Sequence, residues 1–186
     1  MVRIFLPLSF LSSISLIIAM TLGLMIDDPK AHTIAAQTSV QYHFLAALTA
    51  LVFATMVHAI VFTYFMGTGR WIEETSNVYR LDSAFHARSS KVKYRVFALI
   101  VVCFLMLLAT GAFGAAADPA SPMQSKGIGG FSAAQIHLMI AITTIGLNLL
   151  ASWVEFRGLE INGEIIDQVL AEVKRIRLEK GLPVEV

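Results

Sequence analysis

The chain has 186 residues, 56% hydrophobic and only 15% charged, with a mean hydropathy of +0.72. Soluble domains carry about 45–50% apolar and about 25% charged residues, so a soluble globular protein is excluded, disorder is excluded by the apolar content, and a disulfide scaffold is excluded by the single cysteine, Cys103. The net charge of +1, from 14 Lys and Arg against 13 Asp and Glu, gives no bulk attraction to nucleic acid.

A membrane-crossing helix needs about 20 mostly apolar residues. Four stretches meet that need, at about residues 4–26, 40–65, 96–116 and 131–154. The first follows Arg3 but is longer than the 7–15 residues of a signal-peptide core, and no A-x-A site follows it, so it reads as a retained helix. Asp27-Asp28-Pro29 closes it. Gly67-Thr68-Gly69 reads as the close of the second span, with Trp71 at interface depth and room for a short helix within 71–93. Asp118-Pro119 and Ser121-Pro122 mark the loop after the third span, and Ser132 is placed to cap the fourth. Residues 159–180 then read as an amphipathic helix, with Ile161, Ile165, Val169, Val173 and Ile176 on one face.

The expected fold is therefore all-α: a four-transmembrane-helix bundle over residues 1–156 and a helical tail over 157–186. Twelve cations flank one side: Arg3, six between spans two and three, and five in the tail. Only Lys30 and Lys126 lie on the other side. By the positive-inside rule both termini are cytoplasmic, and a bacterial inner membrane is the expected location.

Polar side chains within spans are costly and mark function. His43 and His58 are 15 residues apart and share a face of span two, with Ala47, Ala50 and Ala54 between them. In span four, His137, Ala141, Thr144, Asn148, Ala151 and Glu155 form a small and polar stripe. Depth pairs His43 with His137 near the outer surface and His58 with Asn148 nearer the inner one. Cys103, Met106, Thr110, Met20 and Ser13 are further lining positions, and Gln41, Gln135 and Thr144 are positioned to orient the imidazoles. Glu155 is expected at the interface, paired with Arg157 or Arg70.

Two histidines from different helices at one depth suit the axial ligation of a haem b. The cofactor site then comprises His43, His137 and His58 with Ala47, Ala50, Ala54, Thr144 and Asn148. The layout resembles the cytochrome b membrane anchors of succinate dehydrogenase and fumarate reductase and, more loosely, the cytochrome b561 group. That resemblance rests on the four spans and the paired histidines, and it implies electron transfer between quinone and a partner protein. Span four has no second histidine opposite His58. An alternative is a zinc, copper or iron site built from His43, His137 and His32 on the outer side.

No phosphate loop, H-E-x-x-H or G-x-S-x-G is present. An electron-transfer subunit is therefore expected in preference to a stand-alone enzyme. A second reading is a non-catalytic accessory or assembly subunit, in contact with lipid and with a protein partner or a second copy through its spans or tail.

Overall fold

A computed structural model describes residues 1–31 and 33–183. It contains four helices: α1 (Val2–Leu24), α2 (Ile34–Tyr79), α3 (Ala84–Ala117) and α4 (Ala133–Glu179). Each is long and apolar enough to cross a membrane. Their order around the bundle is cyclic, with α2 and α4 meeting across the diagonal. Among the described residues α1 and α3 do not approach one another.

Helix starts follow local chemistry. Thr33 accepts from the Ala36 amide at the head of α2. Ser132 and Gln135 form a reciprocal capping box at the head of α4, satisfying two otherwise unpaired amides. This use of Gln135 takes it away from the imidazoles it was expected to orient. Just before it, Ile128 and Phe131 pair across a tight turn in which Gly129 and Gly130 both have positive φ.

At 46 and 47 residues, α2 and α4 are each about 70 Å long, more than twice the hydrocarbon thickness. This differs from the expected short inner helix and separate tail. Gly67-Thr68-Gly69 does not end α2, and α4 runs without a break from the fourth span into the tail. Gly69 is buried within the continuous helix, in ordinary van der Waals range of the Lys93 side chain. The chain reverses only at Arg80, in the left-handed conformation (φ 54°), where the Leu81 amide bonds back to the Ser76 carbonyl.

The core has three tiers. Leu16, Ala19, Ala50, Ala54 and Leu107 form the one nearest the loops. Phe5, Val57, Val61, Phe65, Val96, Ile100 and Leu159 form the second. This tier contains the start of α1, so beyond it only α2, α3 and α4 continue. In that projection Ile72, Ile165, Val169 and Val173 are buried, flanked by Tyr79, Leu81 and Phe85.

Burial is uneven along the axis. No residue of α2 before Ala50, of α3 beyond Leu107 or of α4 before Thr144 is buried. The loop-side third of the bundle is open-packed, while the rest is closed.

Candidate functional site

His43 on α2 and His137 on α4 lie in that open third. Their ring centres are 6.2 Å apart and their planes cross at 72°. Each ring is backed by a glycine of a neighbouring helix. A Cβ on Gly23 of α1 would come within 2.8 Å of His43 Cε1, and one on Gly114 of α3 within 3.1 Å of His137 Cε1. The absence of those side chains lets each imidazole lie against the adjacent backbone.

The two rings are held differently. His43 Nδ1–H donates to the Ala19 carbonyl at 2.9 Å. That bond fixes the tautomer and leaves Nε2 with its lone pair, the form that ligates a metal. His137 Nδ1 is buried without a hydrogen-bond partner. Imidazole is a ligand for zinc, copper, iron or nickel, and here two of them face one another, one with a buried, unpartnered nitrogen.

The alanine stripe below these rings is filled. Ala50 and Ala54 are wholly buried against Leu16, Ala19 and Leu107, with Ala46, Ala47 and Leu51 at the edge. On this stretch the small residues bring helices together. Thr144 lies a layer below His137 and bonds to Thr110 Oγ1 at 2.8 Å and to the Met106 carbonyl at 3.3 Å. Cys103 is buried and donates to the Leu147 carbonyl at 3.5 Å. His32 lies outside the described residues. Among the described residues no group of three or more His, Cys, Asp or Glu side chains is placed to hold a metal.

A second polar layer surrounds His58, about 22 Å along α2 from His43. The ring is 1% exposed and both nitrogens are engaged. Nε2–H donates to Asn148 Oδ1 at 3.0 Å, and Nδ1–H donates to Glu155 Oε1 at 2.7 Å. Asn148 and Glu155 are two turns apart on α4, and Ala151 between them has only a methyl group and is wholly buried. The imidazole therefore fits between its two partners. The depth match of His58 with Asn148 is present. The interface role expected of Glu155 is not: Arg157 pairs with Glu160 and Arg70 with Glu74, while Glu155 is buried on His58.

A third layer, nearer the projecting end, centres on Asn162, which is wholly buried. Its amide donates to Thr68 Oγ1 at 3.0 Å and to Tyr64 Oη at 3.4 Å, and Ser89 donates to its carbonyl oxygen at 3.0 Å. Sequence reasoning missed this cluster because Asn162, Thr68 and Ser89 fell in the predicted tail and loop and Tyr64 at the last turn of the predicted second span. The signal available was Asn162 itself, seven residues beyond Glu155 on the same stripe.

The fold and these layers define a class: an all-α protein with four membrane-length helices, with His58 buried and His43 and His137 half-buried between α2 and α4. No family model, curated protein or solved structure matches the chain.

Proposed function

We propose that the protein is an integral membrane b-type cytochrome, holding one haem b between His43 and His137 and carrying electrons between a quinone and a partner protein. The observation that carries this reading is the 6.2 Å separation of the two rings across the α2–α4 diagonal. A point midway lies about 3.1 Å from each ring centre. That is the distance a metal–nitrogen bond of about 2.0–2.1 Å gives when a nitrogen of each ring is turned toward the metal.

Two further features support it. The backbones of α1 and α3, which flank the two rings, do not approach one another. The surrounding third of the bundle contains no buried residue of α2, α3 or α4. Bound there, a haem supplies one-electron chemistry. The chain's own part is to grip the group from both sides and to set His43 through the Ala19 carbonyl.

Absorption spectroscopy of protein purified from haem-replete cells tests this reading. A Soret band is expected, lost in His43→Ala and in His137→Ala and kept in His58→Gln. A colourless wild-type preparation overturns it.

The cation asymmetry supports cytoplasmic termini in a bacterial inner membrane, with the three-helix projection on the cytoplasmic side. A second reading, an accessory subunit, is favoured by the apolar side chains the projecting half exposes, among them Val78 (76%), Tyr94 (67%) and Leu178 (60%). Copurification with and without residues 157–186 tests it.

A further inference from the structure

We propose that His58 and Glu155 form a proton-binding site, loaded from the projecting end of the bundle. The proposal stands on the second and third polar layers and does not require haem at the first.

The pair is a poor device for stability alone. Both side chains are 1% exposed. Removing two charges from water usually costs as much as their mutual attraction returns, and an apolar pair of equal volume often serves as well. Ionisable groups retained at such depth mark proton routes in membrane proteins.

The hydrogen bonds specify where the proton goes. With N–H on both ring nitrogens, His58 is an imidazolium and Glu155 its carboxylate counter-ion. Glu155 Oε1 is taken by Nδ1–H, while Oε2 is buried with no partner. One proton passed from a hydronium ion to Oε2 breaks an O–H bond of the hydronium, leaves water, and forms the new O–H bond that converts the carboxylate to a carboxylic acid. It leaves both imidazole hydrogen bonds in place, because Oε1 still accepts from Nδ1–H and Asn148 still accepts from Nε2–H. Loading therefore keeps both hydrogen bonds but removes the counter-ion of the imidazolium and raises the site's charge by one. The site is small and already built around the position where the proton would reside.

Few other groups compete for it. Cys103 faces the ring from α3. From α4 only Glu155 and neutral Asn148 face it. The only titratable side chain of α1 is Arg3, at the projecting end.

The route is also polarised. On the loop side, buried Ala50, Ala54 and Leu107 close the bundle. On the other side, the Tyr64, Thr68 and Ser89 hydroxyls gather round Asn162, two turns beyond Glu155. Tyr64 and Thr68 are only half-buried, so this cluster reaches the outer surface of the bundle. Gly158 separates it from Glu155. Phe65 and Val96 press onto that glycine and form the one apolar step.

Infrared spectroscopy of the purified full chain, followed as the solution is acidified, tests the proposal. A buried-carboxyl carbonyl band is expected to grow as pH falls, to be missing in Glu155→Gln and to be displaced in His58→Gln. If Glu155→Gln does not fold, a hydrophobic carbodiimide gives the same reading on wild type, as an adduct on Glu155 that increases on acidification. After a pH jump, Thr68→Val should slow the band's appearance about tenfold. No titrating band together with no adduct overturns the site. A rate unchanged by Thr68→Val overturns the route. A colourless protein with a titrating Glu155 would remove the haem reading and leave this one standing.

Discussion

Asn148 and Glu155, seven residues apart on one face of α4, hold opposite nitrogens of a single imidazole, at 3.0 and 2.7 Å. The α2–α4 diagonal is thereby fixed by polar contacts that cannot slide, since a one-residue shift of α4 would rotate both partners away by about 100°. This defined register is what such a buried arrangement contributes, even where its net stability is small.

The pair should therefore show strong coupling. Glu155→Leu leaves a buried imidazole nitrogen unpartnered, and His58→Leu leaves a buried carboxylate. Each should cost about 3–5 kcal/mol. The double replacement should cost much less than the sum, because neither group is then left unpaired. Reversible unfolding in mixed micelles measures all three, and additive losses would show that the two side chains do not act as a unit.

Gly158 is the tightest packing point beside this layer. A Cβ there would stand 2.7 Å from Val96 Cγ2 and 3.2 Å from Phe65 Cζ. Gly158→Ala should cost about 1–3 kcal/mol by overpacking. Adding Val96→Ala should recover part of that loss, measured in the same micelles.

The four spans were legible in the sequence because apolar runs of this length have few other uses. The pairing of His58 with Asn148 was legible too, from a count of residues along two helices. The helix ends on the projecting side were not. Glycines at 67 and 69 resemble a stop signal, yet both lie within the continuous α2. The true stop is Arg80, a residue type with no preference for the left-handed conformation it adopts. Glu155 was assigned to the interface because the span was ended one residue too soon. A continuous α4 carries it inside.

Arg80 itself invites a substitution. A left-handed residue with a Cβ is strained relative to glycine, the common residue at this helix-end position. Arg80→Gly should stabilise the α2–α3 turn by about 0.5–1 kcal/mol, read as a higher thermal midpoint. No rise would mean that contacts of the Arg80 side chain offset the strain.

Orientation can be read by cysteine labelling in a Cys103→Ser background. Gln124→Cys lies in the α3–α4 link and Glu164→Cys in the projection. A membrane-impermeant maleimide added to whole cells should label the first at once and the second only after permeabilisation. The reverse pattern would invert the topology drawn from the cation count.

The two glycines behind His43 and His137 should not be equivalent. Gly23→Ala would bring a methyl group within 2.8 Å of a ring tied to the Ala19 carbonyl, so His43 cannot turn away without losing that bond. Gly114→Ala intrudes less, at 3.1 Å, on a ring whose Nδ1 has no partner to lose. If the rings share a haem, Gly23→Ala should reduce the Soret absorbance per protein severely, and Gly114→Ala should reduce it only in part. Gly23→Ser should match Gly23→Ala, since both add a Cβ at the same place. Equal losses at the two glycines would show that the Ala19 bond does not hold His43 in its ligating position. An undiminished Soret band in Gly23→Ala would place the haem somewhere other than against this ring.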